Sequence, residues 1–526
     1  MIQELQLKVT PQVAATDSLL RKAVAKEINM SENSINDLRI AKRSIDARQR
    51  QVMVALKVIV ATGKDQEIKS SFVPVKYPYV SDSPHSIIIV GAGPAGLFAA
   101  LRAIELGIRP IIIERGKDVD SRRKDLAAIS REGVVNSDSN YCFGEGGAGT
   151  YSDGKLYTRS KKRGSVEKIL NALHQHGASE DILIDAHPHI GSERLPDIIK
   201  NIRHTIESAG GEVHFNTRME NLLIEKDEVK GIRTHDGQIY EGKVILATGH
   251  SARDVYRGLD SSSVRLEPKG IAMGVRLEHP QKLIDSIQYH SKEGRGKWLP
   301  PAEYSFVTQV DGRGVYSFCM CPGGVIVPAV SAPGESVVNG MSSSSRGSRW
   351  ANSGMVVEIR PGDFEEYTKY GAMEMLRLQE DLEKNYYAAA GNTLKAPAQR
   401  MTDFVKGKIS TSLPDSSYTP GLLSQPVHFL LPDHISKRLQ KGFEVMGKKS
   451  KGFLSPEATL IGLESRTSSP IRIPRDPVFL QHPEVKGLFP AGEGAGFAGG
   501  IVSAAIDGVR CAEAYAEELG LNVIKE

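Results

Sequence analysis

The sequence is short of the features that mark secreted, metal-binding or nucleic-acid-binding proteins. Four cysteines (Cys142, Cys319, Cys321, Cys511) in 526 residues are too few for a disulfide framework, and they lack the paired CxxC spacing of a structural zinc site. The fourteen histidines form no HExxH or comparable ligand spacing, so no metal site is expected. Charge of one sign is scarce. A formal net charge of +4 over this length makes neither nucleic acid nor an anionic membrane the expected main partner. Long hydrophobic runs are also missing, since the most apolar stretch, residues 86–104, contains Gly91, Gly93, Pro94 and Gly96, which suit a strand, turn and helix better than a membrane span. The opening MIQELQLKVTPQ has an early acid and no basic-then-apolar order, so no leader is read there and a cytoplasmic, reducing location is expected.

What is present is an ordinary globular composition, 40% hydrophobic and 25% charged, with length enough for two to four domains. Residues 1–80 read as a small α/β unit plus a linker: strand LQLKV, helix TDSLLRKAVAKEI, strands INDLRIAKRSIDA and QVMVALKVIVAT, then the proline-rich PVKYPYVSDSP. From residue 81 the texture becomes alternating β and α, with SIIIV a buried strand, AGLFAALRAIELG a helix and PIIIE the next strand. That rhythm is lost between 265 and 451, which reads as an inserted α+β substrate or cap domain. The nucleotide-binding fold, begun in 81–264, is expected to be completed by 452–526. The serine-rich MSSSSRGS at 341–348 reads as a solvated turn or a flexible lid.

The strongest chemical signal is Gly91-Ala92-Gly93-Pro94-Ala95-Gly96, directly after a strand and opening a helix. In a βαβ dinucleotide site Gly91 permits the tight turn, Gly93 lets the backbone approach a pyrophosphate, and Gly96 allows close packing, while the helix N-terminus presents unpaired N–H groups. The next strand ends at Glu114-Arg115, where a carboxylate accepts hydrogen bonds from ribose hydroxyls and repels a 2'-phosphate, favouring FAD or NAD over NADP. Two further literal matches, Gly144-Gly146-Gly149 and Gly494-Gly496-Gly499, lack the strand before or the strand and acid after, so an independent nicotinamide-binding domain is not visible. The segment GLFPAGEGAGFAGGIV places Gly492 and Glu493 before a helix starting at Gly500, Ile501 and Val502. Glu493 suits a ribitol hydroxyl there, and the helix N-terminus suits the C2 carbonyl of a flavin, whose reduced form is anionic.

Together VGAGPAGLFAALRAIELG…IIIERG, GEGGAGTYSDGKL, VILATG and AGEGAGFAGGI resemble the glutathione-reductase-type FAD fold, over roughly residues 80–526. Within it they resemble bacterial FAD-dependent dehydrogenases that carry a small N-terminal domain. The resemblance implies a Rossmann-like FAD-binding α/β domain, with Gly146 and Gly147 in a loop along the cofactor. It also implies Thr248 and Gly249 closing the sheet beside the cofactor, and Met219 at the adenine. The family's usual final-loop residue is Asp, whereas this chain has Glu493. Lys155 and Arg466 are expected near the flavin or an anionic substrate, with a surface cation as the alternative. Cys319 and Cys321 read as packing cysteines, because an extended CxC points its two side chains to opposite faces.

The leading functional expectation is an FAD-dependent oxidoreductase acting on an unnamed small molecule, with NAD(P)H or another reductant visiting the flavin transiently. Two alternatives stay open. The basic strand Arg39-Ile40-Ala41-Lys42-Arg43, continuing through Arg48 and Arg50, admits a flavin-dependent RNA-modifying protein, although a charged, solvated edge strand also explains it. The other is a non-catalytic FAD-binding interaction protein.

Overall fold

The computed structural model describes residues 1–63, 67–69, 72–158 and 163–524. Its centre is a five-stranded parallel sheet, in the order Leu488–Pro490, Val244–Leu246, Ser86–Val90, Arg109–Ile113, Glu212–His214. Ile87, Ile88, Ile89 and Val90 are buried, the continuous apolar pattern of a strand covered on both faces. Each such side chain contributes about 1.5–3 kcal/mol by leaving water.

Helix Pro94–Glu105 starts with proline at its first turn, where no N–H is needed, and ends before Gly107 in the left-handed region (φ 77°). Residues 95–104 of that helix are all buried, because the C-terminal helix Ile501–Glu518 lies against it. Their closeness depends on Gly508: a Cβ there would sit 1.9 Å from the Ala95 carbonyl oxygen.

Residues that are far apart in sequence therefore complete one sheet, with Val244–Leu246 hydrogen-bonded to Ser86–Val90 on one side and Leu488–Pro490 on the other. Chain order runs outward in both directions from Ser86–Val90. The crevice beside the carboxyl ends of Ser86–Val90 and Val244–Leu246 is thus a topological switch point, the place where open α/β sheets bind ligands.

A second sheet of seven strands runs Val307–Val310, Arg313–Cys321, Trp350–Ile359, Ile271–Pro280, Thr459–Glu464, Ala396–Arg400, Leu422–Ser424. It is antiparallel except for its last pair. Helices Glu374–Ala389 and Asp433–Lys449 contribute Leu378, Leu382, Tyr386, Leu439 and Phe443 to its core. Thr459–Glu464 lies beyond the boundary expected at 452, yet it pairs with Ile271–Pro280 and Ala396–Arg400. The return to the parallel sheet comes later, at Leu488.

Residues 1–62 form a three-stranded antiparallel sheet, Ile2–Val9 and Ile35–Asp46 flanking Met53–Thr62, with helix Asp17–Glu27 packed through Leu20 and Val24. Its basic strand is partly neutralised. Arg43 donates to Asp185 and Asp181 of the neighbouring segment, and Arg48 to Asp46. No helix among the described residues is long and apolar enough to cross a membrane.

Candidate functional site

A cavity of about 390 Å3 opens at the switch point. Its walls include Glu114, Arg115, Thr217, Met219, Ser251 and Val255, and also Gly147–Gly149, Ser152–Lys155, Phe318–Cys319 and Gly499–Ile501. Of the expected contributors, Gly91, Gly93, Pro94, Ala95, Glu114, Arg115, Gly147, Met219, Thr248, Gly249, Gly492, Glu493, Gly500 and Ile501 all border it. Three do not. Gly96 packs behind the turn, where a Cβ would meet the Gly91 carbonyl oxygen at 1.9 Å. Gly146 donates its N–H to Ala92 O at 2.8 Å and would drive a Cβ into Ile199, so it shapes the loop from behind. Val502 turns into the core and is 2% exposed.

The glycines separate into two groups by what surrounds them. Gly91 (φ 107°) approaches the Ala247 carbonyl so closely that a Cβ would stand 2.4 Å from its oxygen, which locks the turn onto the neighbouring strand. By contrast, a Cβ on Gly93 would find nothing nearer than Gly147 Cα at 4.0 Å, and one on Gly499 would find nothing within 4 Å. Gly93 also has ordinary extended backbone (φ −78°, ψ −177°). Neither the protein's packing nor its backbone therefore demands glycine at Gly93, and the open space before the helix N-terminus fits a pyrophosphate.

Glu114 is buried, and its carboxylate accepts backbone N–H groups of Ala92 (2.8 Å), Gly116 (2.9 Å) and Gly144 (3.0 Å). Three of its roughly four acceptor positions are used in tying the glycine turn to the neighbouring loops, leaving one for a hydroxyl. Arg115 is held over the Phe143 ring at 4.4 Å by Asp138 and Asp254.

Glu493 behaves differently, for its carboxyl oxygens meet no hydrogen-bond donor among the described residues. Burial raises its pKa to about 7 against the opposing charge of Lys269. A cavity-facing carboxyl with unused hydrogen-bonding capacity fits a polyol hydroxyl. The loop carrying it is braced from below: Asp507 accepts the Gly492 N–H at 2.7 Å and pairs with Arg475.

Arg466 borders the cavity, but its guanidinium is committed to Glu383 (2.8 Å), Glu335 (2.6 Å) and Ser331 (2.6 Å), so it is neither a surface cation nor an open anion receptor. Lys155 lines the cavity with its Nζ 4.0 Å from Asp153; burial lowers its pKa, but the fields of Cys321, Asp153 and Cys319 outweigh that and leave it raised. The serine-rich segment at 341–348 is tied down. Arg346 grips Asp153 (2.7 Å) and Glu303 (2.6 Å), and the Ser344 N–H donates to Glu193 at 2.8 Å.

Sequence reasoning missed Phe143, His250, Ser251, Phe318 and Thr467 on the wall. His250 is the one with a local signal, since it follows the ATG strand end directly. Burial, helped by Arg466 and Arg253, lowers its pKa to about 4, so it is a neutral imidazole at physiological pH.

Residues 270–467 match the family model described as FAD-dependent protein, C-terminal domain-like, and residues 1–61 match a domain of unknown function. Over 521 residues the chain is 40% identical to an uncharacterized protein of Clostridium beijerinckii, covering 96% of this chain and 97% of that one. The two belong to one family. FixC of Escherichia coli K12 is 26% identical over 227 residues, 41% of this chain and 48% of FixC. A digeranylgeranylglycerophospholipid reductase of Methanosarcina mazei is 26% identical over 179 residues, 31% of this chain and 37% of the relative. The family is of the FAD-dependent oxidoreductase type, and the cofactor is FAD.

Proposed function

We propose that the chain is an FAD-dependent dehydrogenase or reductase of glutathione-reductase type that holds FAD non-covalently in the switch-point cavity. The observation that carries this reading is the continuity of one cavity from the Glu114 end to the N-terminus of helix Ile501–Glu518. Backbone N–H groups beyond Gly93 face the pyrophosphate position, with the positive end of helix Pro94–Glu105 behind them. Glu114, Arg115 and Met219 take the adenosine, and Glu493 takes the ribitol. Bound flavin supplies hydride or electron-pair transfer. The N-terminus of helix Ile501–Glu518 then favours negative charge at the ring's C2 carbonyl, because its first N–H groups lack intrahelical partners. Among the described residues a single five-stranded parallel sheet is present, so a nicotinamide donor must reach the flavin through the open side of this cavity. The RNA reading finds no support in the basic strand, whose Arg43 and Arg48 are engaged by carboxylates.

Anaerobic mixing of the purified protein with NADH, NADPH and dithionite, followed in the flavin absorption band, tests this. Bleaching by dithionite and by at least one nicotinamide nucleotide is the expected result. A flavin that dithionite reduces but neither nucleotide touches overturns the nicotinamide-fed reading.

A further inference from the structure

Cys319 and Cys321 stand on strand Arg313–Cys321 of the second sheet, where that strand meets the cavity. In a regular strand, residues two apart have Cα atoms about 6.6 Å apart, within the span a disulfide tolerates. What alternation does not ordinarily provide is convergent side chains. Here the alternation is broken, for the pairing with Trp350–Ile359 shifts register between Phe318 and Cys321, and Cys319 itself lies in the left-handed region at φ 45°. A left-handed cysteine on a bulge is a re-aimed side chain held by its surroundings.

Those surroundings are specific. The fully buried guanidinium of Arg276 donates to the Cys319 carbonyl at 2.7 Å and to Cys321 Sγ at 3.3 Å, and its other nitrogens reach Glu464 and Asn352. Cys321 is buried against this group, while Cys319 opens onto the cavity wall shared with Lys155 and Glu493. The Cys321 thiol donates to the Cys319 carbonyl oxygen at 3.4 Å, and its closeness, with the charges of Lys155 and Arg276, pulls the Cys319 thiol below its ordinary value. Two cysteines two residues apart, one on the cavity wall and one buried beside a guanidinium, supply the pair that thiol–disulfide chemistry needs.

We propose that Cys319 and Cys321 are a redox dithiol that exchanges an electron pair with the bound flavin. The inference rests on FAD occupying the cavity as proposed above. In the oxidising direction the Cys319 thiolate and the Cys321 thiol join in an S–S bond. The electron pair and the Cys321 proton pass together to oxidised flavin, leaving a disulfide and the anionic reduced flavin, with charge and hydrogen conserved. In the reverse direction, reduced flavin opens the disulfide, and Lys155 and Arg276 stabilise the thiolate that forms.

The test is an anaerobic dithionite titration of the air-oxidised holoprotein, with FAD quantified beforehand. Wild type is expected to consume about two electron pairs per FAD, and Cys319→Ser and Cys321→Ser about one, because a dithiol–disulfide couple takes one pair in addition to the flavin's. In parallel, the peptide carrying both thiols should resist alkylation under denaturing conditions before reduction and take two alkyl groups after it. Uptake of a single pair by FAD-replete wild type, or alkylation of both thiols in the oxidised protein, overturns the dithiol. A protein without FAD overturns the underlying cofactor reading instead and is recognised before the titration begins. The wild-type measurements decide the matter even where a serine variant fails to fold.

Discussion

Replacing Gly93 with valine is expected to give a folded but colourless protein. The Gly93 backbone is already in the extended region that valine favours, and a Cβ there meets nothing closer than Gly147 Cα at 4.0 Å, so the first side-chain carbon has room in the chain alone. Valine is a poorer helix N-cap than glycine, which costs about 1 kcal/mol at most. The same side chain stands where a pyrophosphate must approach the backbone, and FAD content should fall at least about tenfold, since one clash of this kind exceeds 1.4 kcal/mol. Gly96→Ala is the contrasting case. Its Cβ would lie 1.9 Å from the Gly91 carbonyl oxygen, so the variant should lose overall stability, by about 1–3 kcal/mol or more. Chemical denaturation of the apoproteins beside their FAD content separates the two effects. Gly93→Val protein with full FAD would show that the cofactor lies elsewhere.

Glu383→Gln is expected to be among the most destabilising single substitutions in the chain. Glu383 is fully buried and accepts hydrogen bonds from Arg253 (2.7 Å), from Arg466 through both carboxylate oxygens (3.0 and 2.8 Å) and from Ser465 (2.7 Å). Removing the negative member leaves two buried guanidinium groups sharing Glu335, a loss of about 3–5 kcal/mol. The pH dependence has a definite sign. Burial alone would raise the Glu383 pKa, but Arg253 and Arg466 outweigh it and hold the folded-state value at about 2. Below the unfolded value of about 4.3 the unfolded chain binds more protons than the folded one, so this contribution is present above that pH and is lost as pH falls toward 2. Urea denaturation at pH 7 and pH 3 should therefore show a smaller gap between wild type and variant at the lower pH. A variant as stable as wild type at pH 7 would make the cluster dispensable.

The parts of this account that can be read from the sequence are those that local chemistry decides. SIIIV followed by GAGPAG reads as a strand, turn and helix because a buried apolar run, a proline at the first helical turn and spaced glycines act over only a few residues. AGEGAGFAGGI is legible for the same reason. Tertiary partners determine the rest. Arg466 reads as a cation near the site, and it does line the cavity. Its charge, however, is neutralised by Glu335 and Glu383, more than eighty positions away, which no spacing rule connects. TLIGLE at 459–464 is an apolar strand in either sheet, so the sequence alone gives no reason to place it beside Ile271–Pro280 rather than in the parallel sheet. Cys319 shows the limit most clearly. A CxC pattern predicts opposite faces, and only the register shift against Trp350–Ile359, the left-handed backbone of Cys319 and the buried Arg276 that holds both the Cys319 carbonyl and Cys321 Sγ break that rule.

One cavity, built from segments as far apart as Val90 and Ala504, is proposed to hold FAD. Identification of the small molecule released when pure wild-type protein is denatured tests it most directly. FAD, at about one per chain, is the predicted result, because Glu114 and the start of helix Ile501–Glu518 border the same cavity, where a carboxylate suits a ribose and a helix N-terminus suits a flavin carbonyl. Release of FMN, or of no flavin from protein expressed with ample riboflavin, would contradict it.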